Sequence, residues 1–216
     1  MKESTKRNLD NLFLRYPALN ACKEPIYKAV DAVIECYNHK GKLIIAGNGG
    51  SAADAEHIVG ELMKGFILTR NLDEDIKNSI YTRARKEAAD YLIENLQMPL
   101  RAISLVNSVA LGTAFANDQA ADLVFAQQIL GLGDAGDVFI AISTSGNSKN
   151  ILYAADIAKA KGLTTIALTG KSGGELKNMA NILINAPEDE TYKIQELHLP
   201  IYHAICIAVE SEFFSR

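Results

Sequence analysis

The chain has 216 residues, 48% of them hydrophobic and 22% charged, with a formal net charge of −4. That is enough chain for one domain with a substantial core, and a slightly acidic balance argues against a protein that coats a nucleic-acid duplex. No run approaches the ~18 apolar residues that span a bilayer, and the start, MKESTKRNLDNLF, lacks the apolar centre of a secretory leader. The expectation is a cytoplasmic protein that binds neither nucleic acid nor membrane. Cys22, Cys36 and Cys206 are scattered and form no CxxC pair, which reads as free thiols in a reducing compartment.

The first forty residues read as helices. Leu9, Leu12, Phe13 and Tyr16 recur at helical spacing, as do Ile26, Ala29, Val30, Val33 and Tyr37, with Pro17 and Pro25 between the two sets. GKLIIAGNGGSAADAEHIVGELM then predicts a short buried strand, a glycine turn and a helix. From 71 to 97, positions 72, 76, 80, 84, 88, 92 and 96 are Leu, Ile, Ile, Ala, Ala, Leu and Leu. That marks an apolar stripe, expected as one or two scaffold helices inserted at about 70–98, with a lid or subunit-contact element as the other reading. GDVFIAISTSGNSKNILYAADIAKAKG predicts a strand at 137–142, a turn of small polar residues and a helix at about 148–161. LTTIALTGKSGGELKNMA repeats the plan, NILINAP is a further strand closed by Pro187, and 191–214 reads as a helix. Continuous apolar strands alternating with helices predict a parallel sheet covered on both faces. In such sheets ligands sit outside the carboxyl ends of the strands, where the turns at 47–51 and 143–148 both lie.

A glycine turn entering a helix presents unpaired N–H groups and the positive end of the helix dipole, which suits phosphate. Gly47, Gly49 and Ala52 also match the dinucleotide fingerprint, a weak signal alone. The second turn, STSGNS, discriminates better. Ser143, Thr144, Ser145 and Ser148 offer four hydroxyls at a strand end, as a terminal phosphate requires, and a dinucleotide has no need of them. The bland alternative is a loop that only caps its helix.

His57 and Glu61 are four residues apart and share a helix face. The segment QELHLPIYHAI adds Gln195, His198 and His203. Histidine, carboxylate and amide suit a divalent metal such as zinc, or serve as acid and base. Gln195 and His203 are eight residues apart, a rise of ~12 Å on an unbroken helix. Either Pro200 makes the segment irregular, or the two side chains serve sites on different subunits of an oligomer. We favour the second.

Together, GNGGSAADAEHIVGEL, AND at 116–118, GDVFIAISTSGNSKNI, ALTGKSGGEL and IQELHLPIYHAI resemble the sugar isomerase (SIS) domain of the phosphoheptose isomerase family, over about 40–66 and 102–212. The resemblance implies one flavodoxin-like α/β domain over 1–216, a three-layer sandwich whose five-stranded parallel sheet lies between helices. It implies a homotetramer with interfacial sites, no nucleotide cofactor, and one zinc ion per subunit held at His57, Glu61, Gln195 and His203. It places Asn48, Gly49, Gly50, Ser51, Glu61, Asn117, Asp118 and Gln195 around a phosphosugar. Ser143, Thr144, Ser145 and Ser148 would hold its phosphate, and Glu61 and His203 would be the acid/base pair that converts sedoheptulose 7-phosphate to D-glycero-D-manno-heptose 7-phosphate. Three places depart from the pattern. GELMKGF stands where EELTGRY is usual, the following segment is some two dozen residues longer, and Tyr192 replaces an aspartate found before IQE in some members. A relative that binds the replication initiator is the rival reading, but such proteins lack the counterparts of Glu61 and His203. An isomerase or binder for another phosphosugar is a second rival.

Overall fold

A computed structural model describes residues 1–215. Five parallel strands form one sheet: β1 (Leu43–Ala46), β2 (Ala102–Ser104), β3 (Val138–Ile142), β4 (Thr164–Thr169) and β5 (Ile182–Asn185), in the order β2-β1-β3-β4-β5. Register is direct, with Ile44 opposite Phe139 and Ile140 opposite Ile166. The order reverses between β1 and β3, so their carboxyl ends open at a topological switch point.

β1 and β3 are buried along their whole length, as strands covered on both faces must be. Successive side chains alternate between two cores. Leu43, Ile45, Val138, Ile140, Ile166 and Leu168 face a layer made by α1 (Glu3–Arg15), α2 (Lys23–Asn38), α3 (Gly50–Met63) and α9 (Thr191–Phe214). Ile44, Ala46, Phe139, Ala141 and Ala167 face α7 (Val124–Leu132) and α8 (Lys149–Ala160). The result is the three-layer sandwich expected. The three-residue edge strand β2 is too short to have announced itself in the sequence.

One local alternative falls away. Pro200 neither kinks α9 into irregularity nor starts it: the helix runs 24 residues through the proline. Ile194 and His198 before it and Ile201, Tyr202 and Ala204 after it are all buried, and tertiary packing of this kind outweighs one lost backbone bond. The insert forms two helices, within the one or two expected, and the stripe at 72–96 is divided between them. The segment breaks into α4 (Glu74–Arg83) and α5 (Lys86–Asn95) at Ala84 and Arg85, both extended. Asp73 accepts from the Ile76 N–H at 2.8 Å to start α4, α4 buries none of its residues, and Ile76 and Leu96 are exposed. A short α6 (Val109–Phe115) completes the helices.

The amino ends of β1 and β3 are tied by a charge cluster around the buried Lys42–Asp137 pair, on the edge away from the switch point. Lys42 Nζ lies 2.6 Å from Asp137 Oδ2 and 2.7 Å from Asp134 Oδ2. The other Asp137 oxygen accepts from the Lys42 backbone N–H at 2.9 Å. Burial acts against the ammonium, but its bonds to Asp134 and Asp137 outweigh this and raise its pKa. Removing one partner of a buried pair leaves an uncompensated charge. Asp137→Ala is therefore expected to lower the unfolding free energy by about 3 kcal/mol in urea denaturation, with no change in affinity for a ligand at the opposite edge.

Candidate active site

The carboxyl ends of β1 and β3, with the first turns of α3 and α9, enclose a cleft of about 310 Å³ lined by Asn48, Gly49, Gly50, Ser51, Ser143, Thr144, Ser148, Thr191 and Gln195. Ser143 Oγ and Ser148 Oγ are 3.1 Å apart. Neither hydroxyl caps the helix that follows, since the α8 N-cap, Ser148, makes no side-chain cap bond. Asn48 and Asn150 exchange two hydrogen bonds of 2.9 Å, joining the β1 and β3 loops. Gly49 turns the chain at φ 57°. A Cβ on Gly50 would stand 2.6 Å from Gln195 Nε2, so the Gln195 amide packs directly against the start of α3.

A second cluster lies further along the same two helices. His57 Nε2 is 3.3 Å from Glu61 Oε1. The His57 and His203 rings meet edge to face with centroids 4.9 Å apart. Tyr202 Oη is 2.9 Å from His57 Nδ1 and donates to Asp54 Oδ1 at 3.2 Å. Asp54, Tyr202, His57 and Glu61 thus form one chain of polar contacts. Burial raises the Asp54 pKa against the Tyr202 bond, and burial with the Asp54 charge raises that of Tyr202. Burial and the neighbouring His57 lower the pKa of His203, so its imidazole is neutral at pH 7. His203 Nε2 and Asp54 Oδ2 are buried without a partner among the described residues. Lys64 Nζ reaches Glu61 Oε2 at 3.2 Å, and His203 borders a separate cleft shared with Asn8, Asn11 and Arg15 of α1.

The predicted residues therefore fall into two groups. Glycine turn, serine loop and Gln195 come together, and so do His57, Glu61 and His203. Glu61 is ten residues beyond Ser51, ~15 Å along α3, and His203 is ~12 Å beyond Gln195. Ser145 points away from the cleft, its Oγ accepting from the Asn147 N–H at 3.2 Å. Asn117 and Asp118 bond each other at 2.8 Å on an exposed turn and do not line the cleft. Among the described residues no group of three His, Cys, Asp or Glu side chains is set to hold a metal ion, and Gln195 stands with the serine loop. The four zinc positions thus do not close into one site within a single chain. Asp54 and Tyr202 gave no sequence signal, because neither sits in a spacing that marks chemistry.

His198 lies between the groups. It is fully buried, and its Nε2–H donates to the Thr169 carbonyl at 3.2 Å, pinning α9 to the end of β4.

Comparison with known proteins agrees with this architecture. SIS domain models match residues 17–86 and 110–208. The phosphoheptose isomerase of Sulfurimonas denitrificans is 41% identical over 84% of this chain and 79% of its own length. That of Helicobacter pylori is 35% identical over 98% and 91%. Among solved structures, a phosphoheptose isomerase from Francisella tularensis superposes with TM-score 0.74 at 32% identity, covering 91% of each chain. The Neisseria gonorrhoeae phosphoheptose isomerase does so with TM-score 0.70 at 31% identity, covering 96% of this chain and 91% of that one. Among the described residues no helix is long and apolar enough to cross a membrane.

Burial pushes the His198 pKa from the ordinary 6.5 down to about 4, against the Thr169 bond. Between those values the unfolded chain binds more protons than the folded one. This contribution to stability is full above pH 6.5 and lost as pH falls toward 4. The unfolding free energy of wild type, from urea denaturation, is expected to drop over that window by up to about 1.4 kcal/mol per pH unit from this residue. A His198→Met variant is expected to lack that part of the slope.

Proposed function

The chain belongs to the phosphoheptose isomerase family, and from that premise we propose how its two groups of side chains carry out an aldose–ketose isomerisation. The substrate is sedoheptulose 7-phosphate and the product D-glycero-D-manno-heptose 7-phosphate. The observation that carries the reading is the pairing of a carboxylate and a neutral imidazole, Glu61 and His203, around His57.

The cleft between the glycine turn and the serine loop takes the phosphate. Ser143, Thr144 and Ser148 supply hydroxyls, and the start of α3 adds the positive end of its dipole. Glu61 acts as base and takes the proton from C1 of the ketose. Electrons move through C1–C2 onto the C2 oxygen, giving an enediolate. Return of a proton to the C2 carbon and transfer of the O1 proton to O2 leave the aldehyde at C1 and a hydroxyl at C2. His203, neutral and beside Glu61, is suited to donate toward the sugar oxygens and return a proton. The Asp54–Tyr202–His57 chain orients the imidazole next to Glu61.

One chain presents the phosphate wall and the acid/base wall at separate levels of the same helix pair. We infer that subunits pair so that the phosphate wall of one faces the acid/base wall of another, in a homo-oligomer, with a tetramer as the expected form. The cleft at His203 and the unpartnered His203 Nε2 support this. Zinc is proposed as the metal, because imidazole and carboxylate suit it. The donors do not close within one chain, and the proton transfers above do not depend on it.

Purified protein is expected to convert sedoheptulose 7-phosphate to an aldoheptose phosphate. Glu61→Gln should abolish turnover while leaving phosphosugar binding by calorimetry nearly intact; normal turnover by this variant refutes the base assignment. Metal analysis of the same preparation is expected to find about one zinc per subunit. Glu61→Gln and Gln195→Ala subunits, each inactive alone, are expected to regain part of the activity when unfolded, mixed and refolded together. No recovery would refute the shared site.

A further inference from the structure

Arg70 and Glu210 form a wholly buried pair, each 1% exposed, and the mechanism above does not use them. Arg70 Nε donates to Glu210 Oε1 at 2.8 Å. The other ends of the guanidinium turn elsewhere. Nη1 donates to the Leu62 carbonyl at 2.6 Å and Nη2 to the Glu61 carbonyl at 3.2 Å. These are last-turn carbonyls of α3, which no residue of the helix itself can satisfy, and a cation is favoured at that end.

Glu210 works from the opposite side. Its carboxylate accepts the backbone N–H groups of Phe66, Ile67 and Leu68 at 2.7, 2.8 and 3.1 Å. The segment after α3 is thereby curled around one buried anion. The curl sets the Phe66 ring against His203, with centroids 5.3 Å apart. One ion pair therefore grips the backbone of Glu61 and, through Phe66, packs the ring of His203.

We propose that Arg70 and Glu210 are positioning residues for the proton transfer, fixing the Glu61 carboxylate and the His203 imidazole relative to one another. This rests on the assignment of Glu61 and His203 as the acid/base pair. Fold stability alone does not require the arrangement, since well-packed apolar residues often replace a buried pair without loss. A planar fork that reaches a carboxylate and two carbonyls at once is a task for arginine, and lysine cannot reproduce it. Displacing a reacting group by an ångström slows chemistry steeply without weakening binding of the remote phosphate.

Arg70→Lys and Glu210→Asp keep both charges and alter only reach. Each is to be assayed with sedoheptulose 7-phosphate at a temperature where circular dichroism shows it folded. The expected result is a kcat lowered about tenfold or more with KM within about twofold of wild type. Wild-type kcat in either folded variant, or a raised KM at unchanged kcat, overturns the proposal. Phe66→Leu leaves the ion pair whole and decides the matter where the other two do not fold: lowered kcat at unchanged KM supports it, and wild-type kcat overturns it. Glu61→Gln run alongside separates the two claims. Turnover by that variant removes the base assignment itself. Its inactivity together with wild-type kcat in Arg70→Lys removes only the positioning role.

Discussion

The close approach of α3 to α9 is the constraint from which the rest of the site follows. At their start the Gln195 amide lies against the Gly50 backbone, where a Cβ would come within 2.6 Å of Nε2. With the helices in contact there, His57 comes beside Tyr202 and His203 two turns further on, and their far ends meet the buried Arg70–Glu210 pair. A single register between two helices thus sets the serine-loop cleft, the His57–Glu61–His203 cluster and the Arg70–Glu210 pair.

Charge inside the molecule follows one rule at two places. Lys42 is buried against Asp137, and Arg70 against Glu210. In each case the carboxylate also accepts backbone N–H groups, so the chain is shaped around the anion. The first pair sits under the amino ends of the strands and serves the scaffold. The second sits behind the acid/base cluster. The same physics, a desolvated anion that needs several donors, has been put to two uses by position alone.

Much of this was legible in the sequence. Unbroken apolar strands such as LIIA and VFIAI require cover on both faces, which gives the parallel sheet and its ligand edge. STSGNS then pointed to the loop that lines the cleft at that edge together with the glycine turn. Spacing also said that Gln195 and His203 do not meet on one helix, and the unbroken α9 bears this out. What could not be read depends on contacts between distant segments. Tyr202 looks like a core aromatic until His57 and Asp54 are seen beside it. Arg70 is one arginine among several until Glu210, 140 residues away, is found against it. Asn117 and Asp118, which a motif placed near a ligand, sit exposed on a π-helical turn of the single chain, outside the cleft.

The α4–α5 hairpin is held at its neck. The Met98 N–H donates to the Arg70 carbonyl at 2.8 Å, and the Gly65 N–H to Gln97 Oε1 at 2.6 Å. Both strands of the neck are anchored before the hairpin begins, so its ends meet whatever lies between them. The entropy of closing such a loop grows only by about 0.6 kcal/mol for each doubling of length. Residues 71 to 96 are thus free to lengthen, shrink or change character across evolution while the clamp behind Glu61 keeps its shape, which makes this neck the natural place for the fold to diversify.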